Sequence, residues 1–152
     1  MVSNFSVETA QKIYGVSYSH QIMENGEIRF RLISSDGSSF IRTVAFKDGW
    51  QSAHYHKSGK EIYIVQEGWM VMATLVGKSM AKKRYGLGSI ILLESHTHHN
   101  IYLPANAVIL TVKYGMTSSD DWKPSAKLQD LSRKLSKQDL EILPLETVLP
   151  GG

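Results

Sequence analysis

The chain has 152 residues, 42% of them apolar and 20% charged, which suits one domain with a real core and excludes a disordered chain. Lys plus Arg is 17 and Asp plus Glu is 14, a net charge of +3 that is too weak and too scattered to suggest nucleic-acid binding. Cysteine is absent, which excludes a disulfide framework, a Cys-ligated metal and a thiol nucleophile, so any metal must be held by His and carboxylate.

In chain order, Ser6 to Tyr14 carries Val7, Ala10, Ile13 and Tyr14 at helical spacing, with Ser6 as a cap and Gly15 as a stop. Ile28, Phe30 and Leu32 alternate with Arg29 and Arg31, the pattern of a half-buried strand. A turn cluster follows at 34–39, a second strand over Phe40 to Phe46 and another turn at Lys47-Asp48-Gly49. Glu61 to Gln66 and Trp69 to Val76 read as strands on either side of Gly68. Lys78, Lys82, Lys83 and Arg84 read as a solvated hairpin tip, and Ile90 to Leu93 as a strand buried on both faces. Ile101 to Leu103 and Val108 to Tyr114 complete the set.

Short strands at regular spacing with Gly-marked turns predict an all-β sandwich or barrel over residues 27–115. The tail, residues 123–143, reads as helical. Leu128, Leu131 and Leu135 share one face, a second short helix starts at Ser136 with Asp139 three residues on, and Pro144, Pro150 and Gly151-Gly152 end it. No apolar stretch approaches the ~18 residues of a membrane helix, and the first 15 residues lack the pattern of a secretory signal. The expected setting is the cytoplasm, with neither nucleic acid nor membrane as partner.

Five of the six histidines fall in two groups, His54-Tyr55-His56 and His96-Thr97-His98-His99; His20 lies apart. Residues two apart on a strand point the same way, so His54 and His56 can project to one point. The turn Lys57-Ser58-Gly59-Lys60 lets Glu61 return a carboxylate to that point. One imidazole from a distant strand would complete a site of three nitrogens and one oxygen, suited to a divalent transition metal.

Gly49, His54, His56, Glu61 and Gly68 resemble the first motif of the cupin superfamily, a Gly, a His-x-His pair, a Glu and a Gly. Gly88, Glu94-Ser95-His96, His99 and Leu103 match the frame of the second motif, with Glu94, His96 and Leu103 where Pro, Gly and Asn are usual. The resemblance implies a single cupin domain across the chain: a double-stranded β-helix of jelly-roll type with a short N-terminal helix and a helical tail. It implies that His99 is the third metal histidine, with His96 and His98 as competitors, and that the chain pairs as a homodimer.

The expected metal set is His54, His56, Glu61 and His99, taking Fe2+ first and Mn2+, Zn2+ or Ni2+ as alternatives. Glu61 and Tyr63, which share a strand phase, are the catalytic candidates. Arg42, Met70, Met72, Tyr102 and His96 are candidates for the substrate pocket, and Trp50 for its mouth or for a hydrophobic plug. Glu67 reads as a solvated turn residue. The expected activity is iron-dependent, dioxygenase-type oxidation of a small molecule. A redox-neutral isomerase, epimerase or lyase on a sugar or hydroxy acid, and a non-catalytic ligand-binding cupin, are the alternatives.

Overall fold

The computed structural model describes residues 6–116 and 118–146, so Pro150 and the terminal glycines lie outside it. Helix α1 (Val7–Tyr14) is capped by the Ser6 hydroxyl, which accepts from the Thr9 N–H, and stops at Gly15 in the left-handed region. Thirteen strands follow among the described residues: β1 (Val16–Ile22), β2 (Glu27–Ser34), β3 (Ser39–Ala45), β4 (Gly49–Trp50), β5 (His54–His56), β6 (Lys60–Glu67), β7 (Met70–Val76), β8 (Ser79–Tyr85), β9 (Ile90–Leu93), β10 (His99–Leu103), β11 (Val108–Tyr114), β12 (Trp122–Pro124) and β13 (Leu145–Glu146). Helices α2 (Ala126–Arg133) and α3 (Lys137–Glu141) precede β13.

Two sheets face each other. The first runs β1-β2-β3-β11-β6-β9, and the second runs β12-β5-β10-β7-β8-β13 with β4 beside β10. The core between them is built on Tyr63, Val65, Met70, Met72, Ile101, Leu103 and Ile109. Among the described residues all strand pairings are antiparallel except β13 with β8. Among the described residues no helix is long and apolar enough to cross a membrane.

The helical tail covers the outer face of the second sheet. Leu128 of α2 packs on Ala53 and Ala73, and Leu140 of α3 on Val71 and Tyr102. Both leucines are fully buried, each contributing about 1.5–3 kcal/mol. Ser136 and Asp139 form a reciprocal capping box at the start of α3. Arg84 lies over the Trp69 ring at 4.4 Å and donates to the Glu141 carbonyl at 2.8 Å, clasping the end of α3.

Four sequence expectations are corrected. Strand β1 was not anticipated, although Val16, Tyr18 and Ile22 alternate with Ser17, Ser19 and Gln21. Residues 79–85 are strand β8 rather than a hairpin tip, since β7 offers them a full antiparallel register. Ile90 to Leu93 is an edge strand, with Ile90 68% and Leu92 52% exposed.

The fourth correction concerns β2, whose expected sidedness is reversed. Arg29 and Arg31 pair with Thr43 and Ile41, both buried, and so point into the barrel. Ile28, Phe30 and Leu32 point outward. There Leu32, Phe40, Val112, Ile62 and Leu92 form one cross-strand row, and Phe30, Arg42, Leu110, Ile64 and Ile90 form the next. His20 joins this outer face, its ring 5.0 Å from that of Phe30.

Candidate metal centre

His54 and His56 sit on β5 with both side chains turned inward and buried. His99 opens β10 directly opposite His54. Glu61 reaches the same point from the facing sheet, where β6 begins after the turn at 57–59. His56 Nε2 lies 2.5 Å and His54 Nε2 3.8 Å from Glu61 Oε1, and His99 Nε2 lies 3.4 Å from Oε2. One ligand atom each from His54, Glu61 and His99 fall within 4.8 Å of one another, and His56 joins them through Glu61.

The other nitrogen of each ring is already engaged. His54 Nδ1 faces the Ser52 carbonyl at 2.8 Å, His99 Nδ1 the Thr97 carbonyl at 2.9 Å and His56 Nδ1 the Asp121 carboxylate at 2.7 Å. Carbonyl and carboxylate oxygens only accept, so all three Nδ1 atoms carry hydrogen and a neutral ring presents its Nε2 lone pair. His54 Nε2, His56 Nε2, His99 Nε2 and Glu61 Oε1 are buried without hydrogen-bond partners. Four acceptors aimed at one another are costly in a dry interior unless a cation stands between them. The donor set therefore fits a metal ion. His54 and His99 carry the backbone-anchored form, and His56 the carboxylate-anchored form, of the outer support that metal-binding imidazoles use.

The electrostatics agree. Burial pushes the His54 pKa down, only partly offset by Glu61, which favours the neutral ring. Burial alone would raise the Glu61 pKa, but the three imidazoles and the Lys113 ammonium, 3.4 Å from Oε1, hold it well below the carboxylate range. Tyr63 donates its hydroxyl to Glu61 Oε2. Burial, then the Glu61 charge, raise the Tyr63 pKa well above the phenol range, so it stays a donor.

Asp121 and Trp122 were not found from sequence. They lie at β12, between barrel and tail, where no motif spacing points. Asp121 is held by the N–H groups of Ser58 and Gly59 and by the Ser58 hydroxyl. A Cβ on Gly59 would stand 2.7 Å from Asp121 Oδ2, so glycine is what lets the carboxylate approach. Trp122 stacks on His54 with ring centroids 5.4 Å apart. Above the cluster opens a cavity of about 910 Å3, with His54, Tyr63, Trp50 and Trp122 in its wall.

No protein-family model and no curated protein matches the chain. Solved structures do match its fold. KdgF from Halomonas sp. superposes with a TM-score of 0.56 at 16% identity over 67% of this chain and 89% of that one. An uncharacterized conserved protein with a double-stranded β-helix domain from Klebsiella pneumoniae gives 0.57 at 15% identity over 82% and 98%. Oxalate oxidase in complex with the substrate analogue glycolate gives 0.52 at 17% identity over 62% and 53%. The fold is the cupin double-stranded β-helix.

Within the cupin barrel, of the second histidine group only His99 reaches the cluster. His98 points outward, stacked on Tyr55 and 2.7 Å from the Ser125 hydroxyl. His96 sits exposed in a turn at φ 63° and does not line the cavity, contrary to expectation. Three more pocket expectations are corrected. Arg42 faces outward because its strand neighbours Ile41 and Thr43 take the inner face. Met70 and Met72 are packed in the core between the sheets rather than in the cavity wall. Tyr102 lies on the far side of its sheet, between Trp50, Trp69 and Leu140. Trp50 lines the cavity and is pinned edge-on to Tyr102, with its indole N–H directed at the Leu135 carbonyl. Glu67 is exposed, as a turn residue.

Proposed function

We propose that the chain is a mononuclear metal-dependent enzyme acting on a small organic molecule, with His54, His56, Glu61 and His99 as ligands and an iron(II) dioxygenase-type oxidation as its reaction class. One observation carries this reading: four buried acceptor atoms without a hydrogen-bond donor converge beside a cavity of about 910 Å3, ample for a small ligand. Imidazole nitrogens with a carboxylate oxygen suit Fe2+, with Mn2+, Zn2+ and Ni2+ as alternatives. A bound ion of this kind would supply Lewis acidity, or as iron redox chemistry, next to the substrate.

The chain's own residues do the rest. The Nδ1 anchors hold three rings in a single tautomer and orientation, and the Tyr63 hydroxyl orients Glu61. Trp122, stacked on His54, shields that ring from water. An oxalate oxidase among the fold neighbours supports an oxidation.

Tyr63 favours a second reading. A phenol held neutral in the cavity wall, its hydrogen given to Glu61, can accept a hydrogen bond from a substrate hydroxyl, which a redox-neutral isomerase, epimerase or lyase on a sugar or hydroxy acid would use.

The test is oxygen uptake by protein loaded in turn with iron(II), manganese(II) and zinc(II), across a panel of small hydroxy acids and sugars. Substrate-dependent uptake by the iron form alone supports the oxidation. Turnover by the zinc or manganese form without uptake supports the second reading. Binding without turnover in any form leaves a non-catalytic cupin.

A further inference from the structure

We infer that the cavity takes an anionic ligand, a small organic acid whose carboxylate is held by Arg31 and Arg133 while its other end faces His54 and Tyr63. The inference rests on the metal reading only for which end of the ligand reacts. Four cations line the cavity, Arg29, Arg31, Lys113 and Arg133, against one carboxylate, Glu24. Two of the four are answered from elsewhere: Arg29 by Glu27 at 2.6 Å and Lys113 by Glu61 at 3.4 Å. Arg31 and Arg133 have no carboxylate within ion-pair reach among the described residues.

Arg31 is half-buried, and its Nε donates to Gln21 at 2.8 Å, which fixes the guanidinium plane and leaves its outer edge available for two parallel bonds to a carboxylate. Burial, then the charge of Arg29, push its pKa down, the mark of a cation short of counter-charge. Turning Arg31 inward without a carboxylate partner, while Phe30 and Leu32 face out, is unfavourable for the barrel on its own. An anionic ligand supplies the compensation.

The spacing fits a small molecule. Arg31 lies in one inward cross-strand row with Ile41, Thr111 and Tyr63. Three strand spacings put about 14 Å between the Cα atoms of Arg31 and Tyr63, which the two long side chains narrow from both ends.

The test is titration calorimetry on metal-loaded and metal-free protein with glycolate, malonate, succinate and citrate, set against glycolamide, malonamide and succinamide. Carboxylates should bind and amides should not, and Arg31→Gln and Arg133→Gln should each weaken carboxylate binding by about tenfold or more with metal content unchanged. Arg31→Lys, which keeps the charge, should fall between. Equal binding of amides, carboxylate affinity unmoved in both Gln variants, or no carboxylate bound by the wild type would overturn the proposal. Arginine-dependent binding in protein that takes up no metal would sustain it while removing the metal reading.

Discussion

His54 and His99 are Cα partners across β5 and β10, with ring centroids 4.3 Å apart, and each donates its Nδ1 hydrogen to the carbonyl two residues earlier. The two imidazoles are thus fixed by backbone rather than by flexible side chains. His56 differs, because it depends on Asp121.

Asp121→Asn should therefore weaken metal binding by ~10–100-fold while His54 and His99 stay in place. Competition against a chelator of known affinity measures this. An unchanged affinity would show that Asp121 serves only the turn at 57–59.

Tyr63→Phe removes the hydroxyl that donates to Glu61 and leaves the ring packed in the core. The expected cost is about 1.5–3 kcal/mol, as for a buried hydrogen bond to a charged group. Urea unfolding of the metal-free variant reads it directly, and a loss near zero would place the Glu61 carboxylate in other hands.

Stability of the metal-free protein should fall on acidification. The His54 pKa is depressed by burial, so between the ordinary His value of ~6.5 and its lower folded value the unfolded chain binds more protons. Stability is full above that window and declines within it. Glu61, held well below the carboxylate range, loses its contribution further down, as pH drops below ~4.3 toward its folded value. Unfolding midpoints against pH for wild type and His54→Gln check this. The variant should lose the slope in the upper window and keep the lower one.

The helical tail belongs to the fold rather than trailing from it. Leu140 is fully buried against Val71 and Tyr102, so Leu140→Ala should cost about 2–5 kcal/mol. A change below 1 kcal/mol in chemical unfolding, against that ~2–5 kcal/mol, would mean that α3 is loosely attached.

How much of this was legible in the sequence depends on what each residue answers to. His54, His56 and Glu61 obey strand alternation and a short turn, both local, so their convergence could be read directly. The two terminal helices were legible for the same reason, through Ser6, Ser136 and Asp139 as caps. The choice of His99 over His96 and His98 came only through the cupin resemblance, and in the structure His96 sits in a turn at φ 63° ahead of β10.

Sidedness was the harder quantity. In β2 the alternation of Phe30 and Leu32 with Arg29 and Arg31 was plain, but a period of two does not say which set faces in. The usual rule puts apolar residues inside. Here it fails because the barrel encloses a polar cavity and its outer face is apolar. The same ambiguity misplaced Arg42 and Tyr102. Asp121 was out of reach because its link to His56 spans 65 residues.

If His54, His56, Glu61 and His99 hold one metal ion between them, elemental analysis of protein purified without added metal, then reconstituted with iron(II), will find it. About one equivalent per chain in the wild type, lost in His54→Ala and in His99→Ala while both remain folded, is the predicted result. Metal content unchanged in both variants, or none in the wild type after reconstitution, would contradict it.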